Sequence, residues 1–495
     1  MMASKDHNYW RSLDELANTP AFRRWVEDEF PDLWERIATG GNPHTRRQFL
    51  KLAGATLALG GLTACRWPKE AIVPATRQPG NRVPGVPVQY ATTYELSGVA
   101  TGVLVTSYDG RPIKIEGNDK HPFSLGKTNH WMQAAVLDLY DPDRSQHILQ
   151  RTSGTDRYLS RSLDDFRTFA AQHFERLRAV GGAGLCVLSE PSSSPSRLDM
   201  KSRFLAAFPQ AQWIEYEPIS RDNEHNGARL AFGRPYRSHL HLERADVLVA
   251  LDSDFLMLHP AALKYARDFA ARRRPDAANG YDCNRLYVLE SNFSVTGSMA
   301  DRRYAVRSSD IRTALEQIAQ AVAARLDVAT KLPAPVGDLP LSEAAAEAIA
   351  ADLVAHRGRC AIIVGPQQPA EVHVEAHLLN DWLGTHGETI TFTAEPAAER
   401  TDYAAGMAAL AEQIRAGGVD TLVILGGNPV YDAPAELGFG RASGQSPDAA
   451  CAFDKIGTTV RLGLYFDETS RCCDWHLPQA HWLEAWGDGL AWDGT

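Results

Sequence analysis

The sequence predicts an α/β fold built on parallel sheets, and three observations carry that expectation. Apolar runs of strand length recur from Gly184 to Ser189, Asp246 to Leu251, Arg285 to Glu290, Ala361 to Val364 and Thr421 to Leu425. They lack the polar alternation of a half-solvated strand and are spaced by segments of helical length, the pattern of strands covered on both faces. A composition of 44% hydrophobic and 23% charged residues is that of an ordinary globular chain.

Taken in order, the first 65 residues read as an export segment. Thr45-Arg46-Arg47-Gln48-Phe49-Leu50-Lys51, followed by a modest apolar stretch, reads as a twin-arginine (Tat) signal, with Arg46 and Arg47 as the signal pair. The alternative is a chance arginine pair ahead of a core helix, which leaves the Phe-Leu-Lys tail and the small residues before Cys65 unexplained. Leu62-Thr63-Ala64-Cys65 resembles a lipobox and makes Cys65 the candidate lipidation site; the alternative is a small buried cysteine just past an ordinary cleavage site. Forty-four residues precede Thr45, and two stretches, at 9–16 and 22–26, read as short amphipathic helices. These features place the expected protein on the periplasmic side of the inner membrane, Tat-exported and held by a lipid anchor. No other apolar run approaches the ~20 residues of a spanning helix.

Residues 66–90 carry Pro68, Pro74, Pro79, Pro84 and Pro87 and read as an extended linker. A β-rich opening unit is expected over 91–180, where the apolar run Gly102 to Tyr108 and the run Pro112 to Glu116 flank Asp109-Gly110, a hairpin turn that accepts positive φ. Two doubly wound units are expected next, over 181–327 and 328–495, divided at the Ala/Glu-rich stretch 328–348. In such sheets ligands sit beyond the carboxyl ends of the strands. The loops to watch are therefore Glu190 to Pro195, Asp252 to His259, Ser291 to Arg303 and Gly426 to Asp432.

A net charge of −10 argues against nucleic acid as a partner. It suits a mildly acidic surface that could meet a basic protein such as a cytochrome c. Past Cys65 the cysteines are Cys186, Cys283, Cys360, Cys451, Cys472 and Cys473, in none of the spacings that iron-sulfur clusters or structural zinc use. Cys186, Cys283 and Cys360 sit in or beside apolar runs and read as small hydrophobes. The adjacent pair Cys472-Cys473 is the best placed to engage a partner. His373 and His377, four apart on one helical face, have zinc-binding spacing but show no third ligand.

Specific motifs add a resemblance. Gly110 to Asn118, His121-Pro122, Gly126 and Tyr140-Asp141-Pro142-Asp143-Arg144 resemble the opening of the molybdopterin oxidoreductase superfamily (the DMSO reductase-like fold). Val288 to Arg303 looks like that family's strand and cofactor-gripping loop, and Gly426-Gly427-Asn428-Pro429 looks like its G-x-N-P turn. Glu468-Thr469 through Pro478, then Trp482-Leu483-Glu484 and Gly487, resemble its closing elements.

The departures matter as much. Thr92 to Ala100 and Lys127 to Trp131 lack the cysteines that hold the family's [4Fe-4S] cluster. The resemblance places a metal ligand near 219–224, where Ser220 or Asp222 could serve by type. Asp252-Ser253-Asp254 stands where relatives present a glycine-containing loop, and each carboxylate would oppose a pyrophosphate by about 1 kcal/mol or more.

With the extended Tat signal and lipobox, the chain looks like the N-terminal, cofactor-free half of the B subunit of alternative complex III, a quinol-oxidising respiratory complex. That resemblance implies a scaffold with no catalytic residue, no metal and no cofactor of its own, with Gly426, Gly427, Asn428 and Pro429 as a vestigial cleft. It implies iron-sulfur clusters in a following half, and partners that include a multihaem cytochrome c and quinol-binding membrane subunits. The alternatives are an active molybdenum enzyme with an atypical ligand, and a periplasmic lipoprotein binding module.

Overall fold

Two tight turns organise the opening unit. Ser97-Gly98 and Asp109-Gly110 all have positive φ, between 51° and 89°, which suits two-residue hairpin turns that follow the strand twist. They join β1 (Val88–Leu96), β2 (Val99–Tyr108) and β3 (Arg111–Gly117) into an antiparallel sheet. The Asp109-Gly110 hairpin stands where the sequence predicts it, while β1 begins at Val88, inside the stretch read as linker.

The computed structural model describes residues 85–495, except 153–156, 275–282, 330–331, 336, 398–399 and 441–451, together with 19, 20, 24 and 83. Residues 1–80 and 81–495 are separate units. Of the first, only three residues are described, so Arg46, Arg47 and Cys65 lie outside the described residues, as does Cys451. No described helix is long and apolar enough to cross a membrane.

All five apolar runs form strands of parallel ladders. The larger sheet has seven strands in the order β5-β4-β16-β15-β14-β6-β7. Its members are β4 (Ile148–Arg151), β5 (Tyr158–Arg161), β6 (Leu185–Ser189), β7 (Gln212–Glu215), β14 (Thr421–Leu425), β15 (Thr458–Gly463) and β16 (Trp475–Pro478). From β16 to β7 every pairing is parallel, and β4 and β5 add an antiparallel edge. The smaller sheet is fully parallel in the order β11-β10-β9-β12, from β9 (Val247–Leu251), β10 (Arg285–Glu290), β11 (Arg302–Ala305) and β12 (Cys360–Val364). A short antiparallel pair, β8 (Tyr236–Leu240) and β13 (Ile390–Ala394), completes the set.

Strand order corrects the expected division at 328–348. β6 and β7 share a sheet with β14 to β16, so the four-stranded unit is inserted within the seven-stranded one. The Ala/Glu-rich stretch runs into a helix: the helices 311–326 and 343–355 pack in one core, where Leu315, Ile318 and Val322 meet Ile349 and Leu353. The stretch thus joins two helices of one unit and supplies the first turns of the second, and parallel strand partners are fixed by crossovers that composition cannot report.

Both faces of the smaller sheet are buried. Val247, Val249 and Leu251 enter one core, while Leu248 and Ala250 enter the opposite core with Phe255, Tyr265 and Trp492. This alternation within an unbroken apolar run is what double coverage requires.

Candidate functional site

Each parallel sheet reverses its winding once, and the residues that follow the strands at those two points form the candidate site. In the larger sheet the reversal lies between β6 and β14. Glu190 follows β6 directly, and a Cβ on Gly426, just past β14, would overlap the Glu190 carboxylate. Gly426 and Gly427 both have positive φ, so the turn needs glycine for its backbone as well as for space. Two more carboxylates face Glu190. Glu217, beyond β7, has its pKa raised mainly by burial, with Glu190 adding to the effect. Asp432, in the short helix after β14, is raised in the same way.

The rest of the G-x-N-P turn is engaged internally. Asn428 donates to Glu468 at 2.8 Å and accepts from the Thr469 hydroxyl at 2.6 Å, and Arg461 donates to the Gly426 carbonyl at 2.7 Å. A crevice whose central asparagine has one amide hydrogen turned to Glu468 and three carboxylates around it suits a pyrophosphate poorly, since that group needs N–H donors and positive charge.

In the smaller sheet the reversal lies between β9 and β12. Asp252 follows β9 with φ 51°, and a Cβ on Gly365, just past β12, would overlap the Asp252 carbonyl oxygen. The Asp252 carboxylate accepts from Gln368 at 3.0 Å and from Ser308. Asp254 accepts from the backbone and hydroxyl of Thr296 at 2.9 and 2.7 Å. Glu290, 3% exposed, accepts from Arg303 at 2.6 Å and from Ser294. The acidic loop residues that sequence places toward a cofactor thus bind their own loops together.

Beside this reversal point lies a cavity of about 50 Å³ lined by Arg221, Glu224, His259, His373 and His377 together with the ends of β8 and β12. Arg221 and Glu224 come from the start of the helix Asp222–Phe232, and the two histidines from the helix Ala370–Trp382. Burial lowers the His373 and His377 pKa values to about 4, with Arg221 adding to the first and His373 and His386 to the second. His259 is pushed well below its ordinary value by burial, then by Arg221 and His239. The ring of Trp492 lies under both Arg221 and Arg237, at 5.2 and 4.8 Å from their guanidinium carbons.

No family model matches the sequence. The chain is similar to acetylene hydratase from Pelobacter acetylenicus, with a TM-score of 0.58 and 14% identity over 78% of this chain and 62% of that one. The fold is that of the molybdopterin oxidoreductases. A stretch of 111 residues, 22% of the chain, is 32% identical to the molybdopterin-binding-like subunit of menaquinone reductase from Nitratidesulfovibrio vulgaris (strain Hildenborough) and spans 16% of that relative.

On the molybdopterin oxidoreductase fold, the residues predicted from sequence fall into place unevenly. Asp222 is buried, accepting from Arg400 at 2.7 Å and from the Tyr403 backbone at 2.9 Å, where it serves the start of the helix Tyr403–Arg415. Ser220 accepts from the Asp222 backbone at 3.4 Å. His373 and His377 share the cavity, but no group of three metal-ligating side chains occurs among the described residues. Between them Glu375 turns away to Arg312, at 2.6 Å.

Cys472 and Cys473, expected to face a partner, are buried in the core with Met407 and Leu410, because a 3₁₀ turn folds them inward before β16. Cys186 and Cys360 lie buried in β6 and β12, as their apolar settings predict, whereas Cys283 is exposed. The closing motifs pair with the opening ones: Glu484 meets Arg144 at 2.6 Å.

Sequence reading missed Glu217 and Trp492 as site residues. Glu190 and His259 had a signal, since they open and close two of the loops after the strands, and Arg221 lay inside the stretch 219–224 without being singled out. Trp492 had none, being 233 positions from the histidine whose ring it approaches at 5.0 Å.

Proposed function

We propose that this chain is a cofactor-free scaffold module with the molybdopterin oxidoreductase fold, working within a membrane-attached quinone oxidoreductase complex. The observation that carries the proposal is the substitution of protein carboxylates for ligand-facing donors at the first reversal point. Glu190 stands over Gly426 with Glu217 and Asp432 nearby, and Asn428 is spent on Glu468 and Thr469. At the second, Asp252 is held by Gln368 and Ser308.

The similarity to a menaquinone reductase subunit supports a quinone-linked setting. In the finer reading the complex is alternative complex III, with a multihaem cytochrome c and quinol-binding membrane subunits as neighbours. Export through Arg46-Arg47 and lipidation at Cys65 would hold the module at the periplasmic face of the inner membrane. The rival, a working molybdenum centre ligated by Asp222, would have to strip that carboxylate from Arg400 and from the Tyr403 amide, leaving a buried guanidinium unpaired.

Elemental and pterin mass spectrometry on the exported protein tests the proposal. Neither molybdenum nor tungsten is expected above trace. About one metal per chain with pterin would overturn it.

A further inference from the structure

The opening sheet has two edges, β3 and β1, and only one of them is closed. Along β3 the carbonyls of Pro112 and Ile115 accept from the Tyr140 hydroxyl and the Gln133 amide. The backbone of Gly126 and Lys127 runs so close to Gly117 that a Cβ there would overlap it. β3 also carries Arg111, Pro112, Lys114 and Glu116, and its register against β2 shifts at Thr106/Ser107. Charge, proline and irregular register all keep a strand edge from recruiting another strand.

β1 has none of these protections. Its register against β2 runs unbroken through all nine residues, and Val88 to Leu96 contains no proline, glycine, lysine or arginine. Leu96 and Val99 flank a two-residue turn and so exchange both hydrogen bonds, and such pairs recur at every second residue of an antiparallel ladder. Gln89, Ala91, Thr93 and Glu95 fall between them and turn their N–H and C=O groups away from β2. Ala100, opposite Glu95, shows the same phase from the other strand, its N–H donating outward to the Leu490 carbonyl at 2.9 Å.

No backbone hydrogen bond joins those four β1 residues to another element among the described residues. Gln89 and Ala91 are exposed. Glu95 is anchored by its carboxylate, which accepts from the Ser192 hydroxyl at 2.9 Å and the Ser193 amide at 2.6 Å, leaving its backbone groups free of that contact.

A row of alternating donors and acceptors at strand spacing is matched by another strand, and the strand that fits is β1 itself. Set antiparallel with Thr92 opposite Thr92 of a second copy, Gln89 faces Glu95 and Ala91 faces Thr93, so every outward N–H and C=O meets an outward partner. Glu95, the only charged side chain of β1, then lies opposite an amide, and Pro87 stays outside the ladder. Centring the pair on Glu95 would bring like charges together, and centring it on Ala91 would set Pro87 opposite Glu95. The symmetric pair also closes, because the joined sheet is bounded at both ends by the capped β3 edges.

We propose that β1 is a dimerisation edge, through which two copies of this chain join their opening sheets into one continuous antiparallel sheet about a two-fold axis at Thr92.

Sedimentation of the purified chain at micromolar concentration tests this, and a mass twice that of the chain is expected. Ala91→Pro is expected to sediment as a folded monomer, because the N–H it removes points away from β2. Ala91→Lys serves if the proline variant does not fold. Register is read by cysteine pairing in a Cys283→Ser background, since Cys283 is exposed. Opposed residues of a non-hydrogen-bonded pair lie within disulfide reach, so under mild oxidation Thr92→Cys is expected to form a bond between copies at least about tenfold more than Thr93→Cys, whose neighbour across the axis is Ala91. A monomer, a dimer that persists in the folded Ala91 variant, or bonding at 92 that is absent or no stronger than at 93 would each overturn the proposal.

Discussion

The two reversal points solve one geometric problem with different chemistry. Both bring a side chain or carbonyl of the residue after one strand against a glycine after its neighbour: Glu190 against Gly426, and Asp252 against Gly365. At the first the obstructing group is the end of a flexible, exposed side chain amid other carboxylates. At the second it is backbone, the aspartate is tied down by Gln368 and Ser308, and the adjoining space is lined by imidazoles. The comparison teaches that the same close approach at a strand end can rest on a mobile side chain or on backbone, and only the second is rigid.

Acid should separate the two regions most strongly. His373 and His377 have folded pKa values near 4, below the ~6.5 of an unfolded chain, so the unfolded state binds more protons between those values. Their contribution is complete above pH 6.5 and falls as pH drops toward 4, by about 1.4 kcal/mol per pH unit for each. His476, in β16 of the larger sheet, is also lowered to about 4, so that strand carries one such histidine against two on the helix Ala370–Trp382. Hydrogen exchange at pH 5, corrected for intrinsic rates, should show greater loss of protection in β12 and the helix Ala370–Trp382 than in β15 and β16. Equal losses would break the comparison.

Next in size, Gly365→Ala should cost about 3 kcal/mol in a urea titration, because the new methyl meets a backbone oxygen that cannot move alone. Gly426→Ala should cost only about 1 kcal/mol, the penalty for a side chain at φ 75°, since the Glu190 carboxylate can swing aside. If the two variants unfold at the same urea concentration, the distinction between rigid and flexible contact is wrong. Smallest of all, Glu484→Gln should change stability by less than about 1 kcal/mol, because its pair with Arg144 is 43% exposed on the glutamate side. A larger loss would mean that the contact between opening and closing motifs is more than a surface ion pair.

How legible these features were depends on the range of the forces behind them. The five apolar runs became β6, β9, β10, β12 and β14, because double burial writes itself into consecutive residues. The Asp109-Gly110 turn was equally local. β7, β15 and β16 went unread: β7 and β16 are four residues each, and β15 carries Arg461 in its middle. At the candidate site Gly426, Gly427 and Asn428 were found by motif, and the zinc-like spacing of His373 and His377 drew attention to the right helix face for a different reason. Cys472 and Cys473 were misplaced because a turn of three residues decides whether such a pair points in or out.

Hydrophobic periodicity and turn chemistry, which act over a few residues, thus determined by sequence alone that this protein would be an α/β molecule with parallel sheets and a β-hairpin start. The motifs marked which strand ends to examine. Tertiary structure decided the rest: the interleaving of β6 and β7 with β14 to β16, the capture of Asp222 by Arg400, and the meeting of Arg221, His259 and His373 around one cavity. These depend on contacts between residues more than a hundred positions apart. Burial and charge are set there by which elements pack, and no local pattern records that.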